Sequence, residues 1–124
     1  MDIQRFLDAP VVREAMKILE DGVVIQFQID DDSFTVEKKN GKVESKRAVP
    51  GRPFLVFTAT SKALESLAEA EDSREWGRRF GVCYLDQSVK IKLMAPPGTA
   101  LTYGIPVMFN RLGVRPNLIG GERA

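Results

Sequence analysis

The alternation of apolar and polar residues after Gly22 constrains the fold of this chain more than any other feature. From residue 23 to residue 29 every second residue is apolar, and the residues between them are glutamines, apart from Val24. Because successive side chains of a β-strand point to opposite faces, this run predicts a strand with one buried face and one largely wet face. The strand belongs to the segment 21–45, around which the rest of the chain is organised.

Two turn signals extend this strand into a meander, a set of consecutive antiparallel strands. The segment Asp30-Asp31-Asp32-Ser33 is expected to turn the chain, since Asp and Ser side chains hydrogen-bond nearby backbone groups. Asn40-Gly41 predicts a type I′ hairpin, because both residues tolerate the positive φ that this turn requires. The sequence therefore predicts three antiparallel strands with one apolar face, and this face needs a cover.

A helix before the meander and a strand after it are predicted. Asp8 suits the N-cap position and Pro10 the first helical turn, so we expect a helix from there to Asp21-Gly22. Residues 54–60 (FLVFTAT) form a continuous run that favours β-structure, which predicts a central strand buried on both faces.

Another helix, a fifth strand and a terminal helix are predicted in the second half of the chain. Thr60 or Ser61 is expected to cap the helix that follows the central strand. Residues 88–94 alternate like the first strand and predict a fifth strand. Residues 99–114 have a helical pattern, in which Pro106 must either kink the helix or restart it.

Ser73 is predicted to cap a further helix, with Trp76, Phe80 and Cys83 on its apolar stripe. A buried thiol behaves as a small hydrophobe, so Cys83 is expected to have a structural role. As the single cysteine of the chain it excludes an internal disulfide and fits a reducing compartment.

The composition is that of one ordinary globular domain. With 124 residues, 44% of them hydrophobic, we expect a single domain over residues 1–124, with its core at about 8–114 and a loose tail at 115–124. The net charge of +1 argues against a nucleic-acid partner. The sequence has neither an apolar run of about 18 residues nor the apolar core of a signal peptide, so we expect no membrane span and a cytoplasmic location.

The chain contains no histidine. This absence excludes Ser-His-Asp and Cys-His nucleophilic sites and histidine-based zinc sites. Any catalysis would depend on carboxylates, lysine or tyrosine, and no carboxylate is paired with a recognisable substrate loop. We therefore expect a protein that is not an enzyme and that holds no cofactor and no metal.

Two acidic features are candidate sites. Asp30-Asp31-Asp32 could supply oxygen ligands to calcium, but the later glycine and glutamate of a calcium loop are missing, so a solvated turn is expected. Asp86 is the one carboxylate expected beside the ligand site described below.

Basic residues cluster around the Asn40-Gly41 hairpin. The cluster consists of Lys38, Lys39, Lys42, Lys46, Arg47 and Arg52. It could contact the phosphates of a lipid head group, of coenzyme A or of a nucleic acid. The alternative interpretation is that these lysines protect a strand edge from edge-to-edge aggregation.

The order of the elements resembles that of the sterol carrier protein-2 family, over roughly residues 21–112. The residues that carry the resemblance are Val24-Ile25-Gln26-Phe27-Gln28-Ile29, Phe34-Thr35-Val36-Glu37-Lys38-Lys39-Asn40-Gly41-Lys42-Val43, Leu55-Val56-Phe57-Thr58-Ala59-Thr60, Ala63-Leu64-Glu65-Ser66-Leu67 and Val89-Lys90-Ile91-Lys92. The chain departs from the family at Pro53-Phe54, where an acidic residue often enters the fourth strand.

The resemblance implies an α+β fold with the order α-β-β-β-β-α-α-β-α, in which helices cover one face of a mostly antiparallel five-stranded sheet. It also implies a lipid-binding or lipid-transfer protein, with an apolar tunnel between sheet and helices for a fatty acid, acyl-CoA, sterol or isoprenoid lipid. The residues expected to line this tunnel are Ile25, Phe27, Phe34, Val36, Phe57, Phe80, Ile91, Leu101, Ile105, Met108 and Phe109. For each of them, ordinary core packing is the alternative interpretation.

A second function class is compatible with the sequence. The terminal helix is apolar on more than one side, since Tyr103 and Val107 lie opposite its main apolar stripe. Exposed apolar surface often marks an interaction site. The alternative prediction is thus a non-catalytic domain with a filled core, which forms a homodimer or binds a partner through this helix.

Overall fold

The computed structural model describes residues 3–46 and 52–114. The elements in chain order are α1 (Ile3–Asp8), α2 (Pro10–Met16), β1 (Val24–Ile29), β2 (Asp32–Lys39), β3 (Lys42–Lys46), β4 (Leu55–Ala59), α3 (Ser61–Ala68), α4 (Ser73–Leu85), β5 (Val89–Leu93), α5 (Pro97–Thr102) and α6 (Ile105–Arg111). The predicted tail at 115–124 and Arg47 of the basic cluster lie outside the described residues.

The five strands form one mixed sheet in the order β3-β2-β1-β4-β5. β1 pairs in parallel with β4, while the other three strand pairs are antiparallel. Hydrophobic side chains on one face of this sheet pack against the helices and form the core. The predicted α+β fold with a mostly antiparallel five-stranded sheet is confirmed.

The meander forms where the alternation predicts it. In β1, Ile25, Phe27 and Ile29 are buried and the residues between them are half-buried. Asn40 and Gly41 have φ values of 53° and 77°, as the predicted hairpin requires. The carboxylate of Asp21 accepts hydrogen bonds from the backbone N–H groups of both turn residues, at 3.1 and 3.0 Å.

The prediction that the fourth strand is buried on both faces is wrong. Leu55, Phe57 and Ala59 of β4 are buried against the helices, but Val56 is half-buried and Thr58 is exposed on the opposite face. The described helices cover one face of the sheet, so a continuous apolar sequence does not guarantee two buried faces. We call the opposite face the outer face.

The first helical region is divided in two. Ala9 has φ −58° and ψ 135°, because a residue that precedes proline is driven away from the helical region. Asp8 is therefore the last residue of α1, and the prediction that it caps the next helix is wrong. α1 contributes Ile3, Phe6 and Leu7 to the core, which thus begins earlier than residue 8.

Pro106 restarts the terminal helix, one of the two predicted alternatives. α5 ends at Thr102, and Gly104 adopts a positive φ of 88° before α6 begins. A Cβ atom at Gly104 would lie 2.8 Å from the carbonyl oxygen of Ile18, so this position needs glycine for space as well as for conformation.

The N-cap of α3 is one of the two predicted residues, whereas the N-cap of α4 differs from the prediction. The side chain of Thr60 accepts a hydrogen bond from the N–H of Ala63 at 3.1 Å, so Thr60 caps α3. The cap of α4 is Asp72, which accepts from the N–H of Glu75 at 2.8 Å, and the prediction of Ser73 is one residue late.

Candidate ligand groove beside strand β5

The sheet residues predicted to line a lipid tunnel form two neighbouring rows on the inner face. Phe34, Phe27, Phe57 and Ile91 are cross-strand neighbours over four strands. Val36 and Ile25 are paired in the next row. The rings of Phe27 and Phe57 lie 5.1 Å apart, so the structure brings the sheet part of the predicted wall together.

Phe6 of α1 covers this aromatic row, although the sequence prediction did not include it. Its ring centroid lies 5.8 Å from that of Phe27 and 6.0 Å from that of Phe57, and the side chain is buried. The segment before Asp8 is too short to show a helical period, so its one aromatic residue gave no clear signal. The space over the centre of the sheet is thus occupied by a side chain of the protein.

The helical residues of the predicted wall differ in burial. Phe80, Ile105, Met108 and Phe109 are buried in the same core as the sheet residues. Leu101 is 66% exposed, because the break at Gly104 separates it from the buried stripe of α6. The wall is therefore packed as a core, and a lipid tunnel between the layers stays a prediction.

Aromatic rings of α4 connect this core to the surface. The rings of Trp76 and Phe80 stack with centroids 5.7 Å apart, and those of Phe80 and Tyr84 with centroids 6.1 Å apart. Trp76 is buried, and its Nε1 has no hydrogen-bond partner among the described residues. Tyr84 is half-buried at the far end of the stack.

Tyr84 borders a groove along the edge strand β5, which we call the β5 groove. Its volume is about 770 Å³, within the usual range of small-molecule sites. The lining residues are Val56, Thr58, Tyr84, Leu85, Gln87, Val89, Lys90, Ile91, Lys92 and Met94. Most of them are apolar, and Ile91 is the one member of the predicted tunnel wall in this set.

Two apolar side chains of the groove are unusually exposed. Leu85, at the end of α4, is 82% exposed, and Met94, directly after β5, is 49% exposed. Leu85 lies off the buried stripe formed by Trp76, Phe80 and Cys83. An apolar residue on the polar side of a helix was the sequence signal that could have indicated this surface.

The ladder between β4 and β5 leaves polar backbone groups along the groove. The N–H of Met94 donates to the carbonyl oxygen of Phe54, and the N–H of Thr60 donates to that of Ser88. In an antiparallel pair such bonds alternate, so Lys90 and Lys92 direct their backbone groups toward β4. The N–H and C=O of Ile91 point instead away from β4, out of the edge of the described sheet.

The side chains of Lys90 and Lys92 give the groove its charge. Both are exposed and project from the outer face, where their cross-strand neighbours are Thr58 and Val56. The next strand places Gln28 and Gln26 in the same rows. Neither lysine forms an ion pair with any residue in the described parts of the chain.

The carboxylates singled out from the sequence serve the local structure. Asp30 accepts hydrogen bonds from the N–H and hydroxyl of Ser61, which hold the pKa of its carboxyl below the ordinary value. Asp86 binds the hydroxyl and N–H of Ser88 with the same effect on its pKa. Within residues 3–46 and 52–114, no cluster of three or more acidic or cysteine side chains could hold a metal ion.

Lys38 does not belong to an exposed basic edge. It is 5% exposed, and its Nζ donates to the carbonyl oxygens of Met16 at 2.8 Å and Lys17 at 3.3 Å. These carbonyls end α2, where a cation is favourable. Burial lowers the pKa of Lys38, while Asp21 and Glu20 act in the opposite direction. Among the cluster members that the structure describes, Lys39, Lys42, Lys46 and Arg52 are exposed.

No helix in the described part of the chain is long and apolar enough to cross a membrane.

The fold is of the sterol carrier protein-2 type, as comparison with solved structures shows. A structure described as UbiJ-SCP2 ubiquinone synthesis protein is similar with a TM-score of 0.52 and 11% sequence identity, over 87% of this chain and 86% of that protein. The predicted resemblance in fold is thereby confirmed.

A second similar structure is the stereoselective inverting sec-alkylsulfatase Pisa1 from Pseudomonas sp. The TM-score is 0.55 and the identity 12%, over 99% of this chain but 17% of the enzyme. The chain thus corresponds to a small part of that enzyme. No protein-family model matches the chain, and no curated protein matches it by sequence.

Proposed function

We propose that this protein is a lipid-binding or lipid-transfer protein that holds the chain of a fatty acyl, sterol or isoprenoid lipid. The observation that supports the proposal is the β5 groove, a mostly apolar groove of ligand size on a fold of the sterol carrier protein-2 type. The proposed binding surface is formed by Val56, Leu85 and Met94.

Hydrophobic burial can supply the affinity without a reactive group. A lipid chain that removes roughly 200 Å² of apolar surface from water would gain about 5 kcal/mol before the cost of association. Part of this gain would come from Leu85 and Met94, which the unliganded protein leaves in contact with solvent. Weak, reversible binding of this kind suits a carrier.

We also propose that the protein is not an enzyme. The carboxylates of Glu14, Asp30, Glu75 and Asp86 have pKa values below their ordinary ones, mainly because of hydrogen bonds from neighbouring groups. General acid–base catalysis near neutral pH needs carboxylate pKa values that are raised. The thiol of Cys83 is buried in the core, and the chain has no histidine to activate it.

Native mass spectrometry of the purified protein, with and without denaturing extraction, tests the proposal. A co-purified mass in the range of a fatty or isoprenoid chain, released on denaturation, is the expected result. Titrations with a long-chain fatty acid and an acyl-CoA should follow. The proposal fails if no long-chain lipid and no acyl-CoA binds below millimolar concentration.

The terminal helices favour a second candidate, a non-catalytic interaction domain. Leu101 of α5 and Val107 of α6 are 66% and 40% exposed, and the core between sheet and helices is packed with the protein's own side chains. A homodimer through this surface would show a dimer in sedimentation velocity that Leu101→Ser weakens. A monomer at all working concentrations contradicts it.

A further inference from the structure

We propose that the β5 groove selects amphiphiles with one apolar chain and an anionic head group, which Lys90 and Lys92 bind. This inference rests on the proposed lipid-binding function and adds the charge of the ligand to it. It places the head group on the outer face of the sheet, and the chain against Leu85 and Met94.

The first argument is the charge of the groove. Two residues apart on one strand, Lys90 and Lys92 project from the same face with Cα atoms about 7 Å apart. Their neighbours in the sheet, Thr58, Val56 and the glutamines of β1, are uncharged. No carboxylate among the described lining residues neutralises the two ammonium groups, so the groove attracts an anion.

The second argument is the arrangement of apolar and polar groups within the groove. Leu85 and Met94 leave apolar surface in water next to the two lysines. A neutral lipid would bury this surface and leave the ammonium groups unpaired, whereas a simple anion would pair with the lysines and bury nothing apolar. An amphiphile with an anionic head group would bury the apolar surface and also pair with the two ammonium groups.

The third argument concerns the edge of β5. The N–H of Ile91 points away from β4, out of this edge, and adds a hydrogen-bond donor close to the lysines. The same edge could in principle bind a peptide strand, but lysines on an edge strand oppose strand addition. In an antiparallel self-pairing centred on Ile91, Lys90 of one copy would face Lys92 of the other, so a second copy is also disfavoured.

NMR titration of the full chain with decanoate and with 1-decanol, two probes of equal chain length, tests this inference. Decanoate should shift the amide signals of Val56, Leu85, Ile91 and Met94. The double variant Lys90→Gln/Lys92→Gln should weaken decanoate binding roughly five- to tenfold, the size expected for two exposed charge pairs, and change 1-decanol binding less than about twofold.

Matched controls separate site effects from general ones. Lys46→Gln removes a lysine from the outer face at the opposite edge of the sheet and should leave decanoate binding unchanged. Leu85→Ser should weaken the binding of both probes, whereas Leu101→Ser, at another exposed leucine outside the groove, should weaken the binding of neither. All these side chains are exposed, so the variants should fold.

The outcomes distinguish this inference from the proposed function. The inference is overturned if the double lysine variant binds decanoate as tightly as the wild type. It is also overturned if the amide signals that shift are centred on Phe6 and Met108, which would place the decanoate chain between the sheet and the helices. Either result leaves lipid binding intact. Both proposals fail if nothing binds below millimolar concentration, whether decanoate, 1-decanol, a long-chain fatty acid or an acyl-CoA.

Discussion

The ring of Phe6 packs edge-on against the ring of Phe27, with centroids 5.8 Å apart and an angle of 65° between the ring planes. Through this contact a six-residue helix covers the centre of the sheet. Phe6 thus packs on Phe27, a residue that the family resemblance assigns to the wall of a lipid tunnel.

Phe6→Ala should lower the free energy of unfolding by about 3–5 kcal/mol, the usual cost of removing a buried phenylalanine ring. Urea denaturation measures the change. Leu101→Ala, at an exposed position, is the control and should stay within about 0.5 kcal/mol of the wild type. If Phe6→Ala lowers the free energy of unfolding by less than about 1 kcal/mol, α1 does not pack on the core as described.

Two glycines of α4 should respond to alanine in opposite directions. A Cβ atom at Gly77 would lie 2.2 Å from the backbone oxygen of Gly113, so Gly77→Ala should cost about 1–3 kcal/mol or more through overpacking. At Gly81 a Cβ atom would meet nothing within 4 Å, and Gly81→Ala should gain about 0.5–1 kcal/mol from helix propensity.

Thermal unfolding of both glycine variants provides the measurement. Because the two substitutions are identical and lie one helical turn apart, their difference isolates the contact between α4 and Gly113. Equal effects on the melting temperature would contradict this close approach.

Lys38 should give the protein a pH-dependent stability in the alkaline range. Burial lowers its pKa in the folded protein from the ordinary value of 10.5. Between the lowered pKa and 10.5 the unfolded chain binds more protons than the folded one, so the free energy of unfolding rises with pH. Below the lowered pKa both states are protonated, and this contribution is constant.

The difference in stability between the wild type and Lys38→Met should therefore shift in favour of the wild type as the pH rises toward 10.5. Urea denaturation at intervals from neutral pH upward measures it, with Lys39→Met as the control for loss of an exposed lysine. A difference that does not change with pH would show that the ammonium of Lys38 is not desolvated.

Asp30 should contribute to stability at neutral pH through the N-terminus of α3. The N–H and hydroxyl of Ser61 hydrogen-bond its carboxylate, which lowers its pKa below 3.8 in the folded protein. The contribution is complete above the unfolded pKa and is lost as the pH falls through the folded one.

Asp30→Asn should thus be less stable than the wild type at pH 7, and the difference should shrink in acid below 3.8. Denaturation curves at both pH values provide the measurement. Asp31→Asn, at the exposed neighbouring position, controls for the removal of one negative charge. If the wild type keeps its whole advantage at the lowest pH, the carboxylate is not its source.

Much of the fold follows from patterns within short stretches of sequence. The alternation around Ile25 and Phe27, the turn at Asn40-Gly41 and the cap at Thr60 predict strands, hairpin and helix start correctly. These features depend on neighbours in the chain, because side-chain direction and backbone preference are set within a few residues. The apolar stripe of Trp76, Phe80 and Cys83 is buried as predicted for the same reason.

The site could not be predicted in this way. The residues Ile25, Phe57 and Met108 are apolar whether they line a tunnel or fill a core, and their contacts depend on residues far away in the chain, such as Phe6. Likewise the sequence predicts an exposed lysine at position 38, and only the tertiary structure shows that two carbonyl groups at the end of α2 bind its ammonium group.

The sequence by itself determined the strands, most of the helices and the order that defines the fold class. Only the tertiary structure decided that β4 has an exposed outer face, that Phe6 covers the aromatic row, and that Leu85 and Lys90 border one groove. Local conformation depends on residues next to one another in the chain, whereas burial and pocket shape depend on contacts between residues far apart in it.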